Sequence, residues 1–101
     1  MTGYAGGEFR STFTSTTGGL MTEEAGAITG ELEILCRPGP DGLHVAVRYA
    51  GADDWYTVSG SPVQAGDEDE TPERILRHLR TPGPVVDGNE MTVTLAEFPG
   101  A

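Results

Sequence analysis

Apolar and polar residues alternate most regularly between positions 31 and 58. Leu32, Ile34 and Cys36 are interleaved with Glu31, Glu33 and Arg37, and Leu43, Val45, Val47 and Tyr49 with His44, Ala46 and Arg48. A period of two puts every second side chain on one side of an extended chain, so each run predicts a half-buried β-strand. Between them stand Pro38, Gly39, Pro40, Asp41 and Gly42, a cluster of turn residues expected to interrupt the strands. With Pro38–Asp41 as the turn, Cys36 pairs with Leu43, Ile34 with Val45 and Leu32 with Val47, and Glu31 faces Arg48 as an opposite-charge pair. A second turn at Gly51–Asp54 pairs Tyr49 with Tyr56 and Val47 with Val58. The expectation is an antiparallel β-meander of strands at about 31–37, 43–50 and 55–60. Its single apolar face carries Leu32, Ile34, Cys36, Leu43, Val45, Val47, Tyr49, Tyr56 and Val58.

Three further segments carry a signal. Residues 8–14 alternate, with Phe9 and Phe13 on one side and Arg10 and Thr12 on the other, and predict an N-terminal strand. Thr71, Pro72 and Glu73 form a helix start: an N-cap residue, a proline at the first helical position and an acid at the positive end of the dipole. Ile75, Leu76 and Leu79 then fall on one stripe, and Pro82 ends the run, which predicts a short helix at about 72–80. A helix that short is unstable alone, so it is expected to pack on the apolar sheet face. Met91, Val93 and Leu95 alternate in a C-terminal strand at about 91–97. The sum is an α+β fold. Residues 15–30 carry only a weak apolar pattern and are open to three readings: a loop, a short helix around 22–27, or a flexible segment, so that 1–29 is partly flexible.

Composition narrows the class. The 101 residues suit a single small domain spanning 1–101. Sixteen acidic residues oppose six arginines and no lysine, for a net charge of -10. That field repels nucleic acid and anionic lipid and favours a basic partner. Arginine without lysine, beside abundant Gly, Ala, Thr, Val and Pro, is the usage of a GC-rich bacterial genome. The first residues show no basic and apolar signal segment, and no apolar run reaches the roughly 18 residues of a membrane span, so the cytoplasm is the expected location.

Candidate chemistry is sparse. Cys36 is the only cysteine, which excludes an intrachain disulfide. A Cys36–His44 nucleophilic pair fails because alternation points the two side chains to opposite faces. Ser59 and Ser61 lack the surroundings of a nucleophile elbow. The run Asp67, Asp69, Glu70 and Glu73 supplies carboxylates for a hard cation, but an EF-hand loop starting at Asp67 would have Pro72 and His78 where glycine and glutamate are required. Those acids equally suit a solvated loop before a helix N-terminus. Arg74, Arg77 and Arg80 form a basic stripe explained by i,i+4 pairing of Glu70 with Arg74 and of Glu73 with Arg77.

The outward face of the meander holds the most specific feature: Trp55, the only tryptophan, diagonal to Arg48 and near His44 and Leu35. An exposed tryptophan among apolar neighbours marks a binding patch. The competing expectation is that the N-terminal strand or the 15–29 segment folds over this face with Phe9, Phe13 and Leu20. The reading is therefore a non-enzymatic, acidic interaction or regulatory module of a bacterium, with no cofactor. Its partner is another protein or a second copy of itself, with neither nucleic acid nor membrane. The alternative is a small-molecule or metal-ion binding domain that uses the sheet face and the acidic loop 67–73.

Overall fold

Three long strands, Glu8–Thr14 (β2), Glu31–Gly39 (β5) and Gly42–Tyr49 (β6), are the frame on which everything else is placed. The computed structural model describes residues 4–5, 8–64, 71–96 and 98. With Tyr4–Ala5 (β1) and Tyr56–Thr57 (β7), the long strands form an antiparallel sheet in the order β1-β2-β5-β6-β7. One helix, Thr71–Leu79 (α1), joins it, and the fold is α+β with a β5-β6-β7 meander. Alternation sorts the faces as predicted. Phe9, Phe13, Leu32, Ile34, Cys36, Leu43, Val45 and Val47 are buried on one side, in a single cluster with Ile75, Leu76 and Leu79 of α1. Full burial of such a side chain contributes roughly 1.5–3 kcal/mol, so this shared cluster is a large favourable contribution to folding.

Both hairpins pair two residues away from the predicted register. Ile34 faces Val47, Cys36 faces Val45, and Arg48 faces Glu33 instead of Glu31. The turn is Pro40–Asp41 alone, because Pro38 and Gly39 remain in the strand. Pro38 is tolerated for a reason of parity. Val45 donates its N–H to Ser61 Oγ and accepts from Val58 N–H, so its backbone faces away from β5. Its partner Cys36 therefore faces β2, and so does Pro38 two residues on. Among the described residues the β2 ladder ends at the Phe9–Cys36 pair, so Pro38 lies past the last described pair and its missing N–H breaks none of the ladder bonds described. Gly42 closes the turn with a φ of 131°, and a Cβ there would lie 2.7 Å from the Val63 carbonyl oxygen. In the second hairpin Val47 faces Tyr56 and Ala46 faces Thr57. Tyr49, expected on the buried face, lies at the sheet end and is exposed.

Residues 15–30 form neither a loop nor a helix. Leu20–Thr22 (β3) and Gly26–Ile28 (β4) make a small hairpin, closed by Thr22 Oγ1, which donates to Gly26 O and accepts from Ala25 N–H. Leu20 and Ile28 enter the core from it. The β7 strand, Tyr56–Thr57, is shorter than the predicted 55–60. Glu23 donates its N–H to Thr57 O, and Ser59 donates to Met21 O, so β3 runs along one edge of this segment while Val58 still donates to Val45 O of β6 on the other. Glu24 adds to the β3 edge by accepting both the Thr57 hydroxyl and its N–H, which lowers the Glu24 pKa.

The predicted C-terminal strand at 91–97 is replaced by isolated contacts, Glu97 lying outside the described residues. Val85–Val86 (β8) and Asn89–Glu90 (β9) form a hairpin, and Val93 alone bridges, in parallel, to Leu20. Val93 and Leu95 are buried as expected, whereas Met91 closes the hairpin through its N–H to Pro84 O and is exposed. Gly60 lets this segment approach: a Cβ there would lie 2.4 Å from Ala96 N. No helix among the described residues is long and apolar enough to cross a membrane.

Val47 is fully buried at the centre of the sheet. An unpaired carboxylate there costs several kcal/mol, comparable to the whole stability of a small domain. Val47→Asp is expected to lose its dispersed amide spectrum and its cooperative melt, and a cooperatively folded variant would contradict this packing.

Candidate functional site

The outward face of the sheet is ordered by the same parity. Arg10, Leu35, Ala46 and Thr57 form one row across β2, β5, β6 and β7, and Thr12, Glu33 and Arg48 form the next. Trp55, one residue before β7, lies beside Arg48. Its ring is half-buried between two guanidinium groups, with the Arg48 Cζ 4.5 Å and the Arg10 Cζ 5.7 Å from its centroid. One carboxylate fixes both cations. Glu33 Oε1 accepts from Arg48 Nε at 2.8 Å and lies 2.7 Å from its terminal nitrogen, while Oε2 lies 3.5 Å from Arg10. Leu35 is buried, yet it lies outside the main core cluster, as its outward position requires. Cation–π contacts of this kind are worth about 0.5–2 kcal/mol, and together with the ion pairs they hold the indole in one place.

Of the four residues expected here, the structure joins Trp55, Arg48 and Leu35 and separates His44. His44 faces Arg37, and its Nε2 is 2.6 Å from Asp41 Oδ1. That hydrogen bond keeps the Asp41 carboxyl below its ordinary pKa. Arg10 and Glu33 are the members the sequence reading missed. The expectation that Phe9, Phe13 and Leu20 cover this face is overturned, since all three are buried in the core on the other side.

The remaining candidates are placed as follows. Cys36 is fully buried and on the opposite face from His44. Burial, with the nearby Glu73 carboxylate adding to it, pushes its thiol up to about 12, so it is inert as a nucleophile. Asp67, Asp69 and Glu70 lie outside the described residues, as does the Glu70–Arg74 pair. Glu73 is described, with its Oε1 buried and without a hydrogen-bond partner. Among the described residues no three metal-ligating side chains cluster. The expected Glu73–Arg77 pair is not formed. Arg74 lies over Phe98 at 5.6 Å, and His78 meets the same ring edge-on at 5.5 Å. Comparison with family models, with curated proteins and with solved structures returns no match.

The register distinguishes two glutamates that the sequence alone confused. Glu33→Gln is expected to cost about 1–2 kcal/mol, since it weakens bonds to two arginines, whereas Glu31→Gln should stay within about 0.5 kcal/mol. Urea unfolding of the two variants checks this, and equal losses would contradict the pairing. Cys36 gives a pH dependence. Its folded pKa of about 12 lies above the 9.0 of an unperturbed thiol, so the folded state holds the proton more tightly. The corresponding stability is complete below pH 9.0 and declines as pH rises from there towards 12. Denaturant melts across that range should fall more steeply for the wild type than for Cys36→Ala, and parallel curves would refute the assignment.

Proposed function

We propose that this chain is a non-enzymatic interaction module that holds a protein partner against the outer face of its sheet, with Trp55 as the anchor. The partner is another protein or a second copy of the chain. The observation that carries the reading is the arrangement of Trp55 between Arg10 and Arg48, both tied to Glu33. Tryptophan and arginine are the residues that most often dominate binding energy at protein interfaces. Here they stand on a rigid, hydrogen-bonded sheet in a fixed geometry, so little side-chain freedom remains to be lost on association. Leu35, Ala46 and Thr57 in the neighbouring row are buried or partly buried.

Charge selects the partner class. A net charge of -10 disfavours nucleic acid and anionic membranes and steers basic protein surfaces towards the chain. The arginine-bearing, lysine-free composition supports reading this module as bacterial and cytoplasmic. Immobilised wild-type chain and Trp55→Ala, each checked for an unchanged melt, test the proposal. The wild type should retain a partner identified by mass spectrometry, or sediment as a dimer, and Trp55→Ala should lose it. Retention of the same partners and the same solution mass by the variant would count against the Trp55 face.

A further inference from the structure

Charge on the outward face of the sheet is paired along the strands and unpaired at one rim. Arg10 and Arg48 share Glu33, Arg37 lies 2.8 Å from Glu8, and His44 is bonded to Asp41. Each basic side chain of the three long strands thus stands beside a carboxylate. The rim is made of two turns on the β7 side of the sheet. Glu23 and Glu24 stand at the tip of the β3–β4 hairpin, and Asp53 and Asp54 stand between β6 and β7. All four are exposed, and none takes part in an ion pair among the described residues.

Hydrogen bonds tie this rim to the row beside Trp55. Glu24 Oε1 accepts from Thr57 N–H at 2.7 Å, and its Oε2 accepts from the Thr57 hydroxyl at 2.8 Å. Thr57 is opposite Ala46, and the Trp55 ring lies on Arg48, two residues further along the same strand. Alternate residues of a strand point the same way and are roughly 7 Å apart. The Glu24 carboxylate and the indole therefore occupy neighbouring rows of one face. Asp54 directly precedes Trp55 and places a second carboxylate next to it in the chain. Both donors to Glu24 are neutral, so they fix its charge in place without cancelling it, and they hold its pKa below the ordinary value. A carboxylate held in one geometry loses little freedom when it pairs with a cation.

We infer, on the reading that Trp55 is the anchor, that the partner is a basic segment of a different protein. A lysine or arginine of that segment pairs with Glu24 and Asp54, and an apolar side chain next to it packs on the indole. Charge complementarity selects this occupant. An acidic segment would meet the four rim carboxylates and no arginine of the strands that is not already beside one. A second copy is disfavoured on the same ground. A two-fold contact sets one patch against itself, so the rim carboxylates of both copies would crowd a single interface, where like charges cost affinity. The net charge of -10 on each copy opposes their encounter at longer range as well.

Shift titration of the full chain with a short capped peptide alternating lysine and leucine tests this. Saturable shifts are expected at the Trp55 indole N–H and at the amides of Glu24, Asp54 and Thr57, and a glutamate–leucine peptide should give none. Binding should weaken on the order of tenfold in the Glu24→Gln, Asp54→Asn double variant. The Asp53→Asn, Asp54→Asn variant leaves the Thr57 contacts untouched and should weaken it too, whereas Asp87→Asn, which removes a charge from the β8–β9 turn, should not. Trp55→Ala should abolish it. The basic segment is refuted, with the anchor left standing, by any of four results: no saturable shifts with the lysine–leucine peptide, equal binding of the acidic peptide, the same shifts with spermine, or undiminished binding by both charge variants while Trp55→Ala fails. A wild-type dimer that Trp55→Ala loses has the same meaning. Undiminished binding by Trp55→Ala refutes the anchor and the segment together.

Discussion

The backbone parity of β5 is the constraint on which the rest of the structure depends. This strand is paired on both sides, with β2 and with β6, so its backbone groups are satisfied in the plane and its side chains are free to divide between two faces. Leu32, Ile34 and Cys36 go one way, and they draw Phe9 and Phe13 from β2 and Val45 and Val47 from β6 to the same side. Glu33 and Leu35 go the other way and organise the face that carries Trp55. The core and the candidate site are thus two consequences of one alternation. A slip of a single residue would exchange them, placing carboxylates against α1 and apolar residues in solvent.

That constraint also explains which parts of the structure were legible in the sequence. A slip of two residues leaves every side chain on its own face, so alternation fixes the face of Ile34 and Val47 while leaving their partners undetermined. Stagger is set instead by the turn. Pro38 argues for a four-residue turn only if its missing N–H lies inside the ladder. It lies past the last described pair of the β2 ladder, a fact of the third strand and invisible in the hairpin's own residues. The cost of that misreading was Glu33, read as a bystander because Glu31 occupied its place opposite Arg48. Arg10 was missed for a related reason: its own strand was recognised, but nothing local says that this strand docks beside β5. The hairpin at 20–28 is held largely by backbone bonds to Val93, Thr57 and Ser59, which are remote in sequence, and its own apolar pattern is too short to show a period. Met91 escapes the predicted alternation because the β8–β9 hairpin bends the chain there.

Electrostatics divides the molecule a second way. Six arginines are the whole positive complement of the chain. Arg10, Arg37 and Arg48 stand on the sheet, each beside a carboxylate: Glu33 for the first and third, Glu8 at 2.8 Å for the second. The other three stand on or beside α1, where Arg74 packs over Phe98 and Arg77 and Arg80 reach solvent. Cations on the last turn of a helix are favoured by its dipole, which accounts for their presence there without a ligand. The exposed apolar residues Val85, Val86 and Met91 belong to the neighbouring segment of sequence and have no such electrostatic account.

The two surfaces consequently differ in what each can recognise. On the sheet, Arg10 and Arg48 share the Glu33 carboxylate and the three long strands pair with one another, so what the plane itself has left to offer a partner is shape and the half-buried indole. Binding there depends on complementarity to a rigid plane, and mutation of one side chain can remove most of it. At the end of α1 no single side chain dominates, and Arg77 and Arg80 are exposed and take part in no ion pair among the described residues. The two surfaces share no side chain, so a substitution in one leaves the residues of the other unchanged.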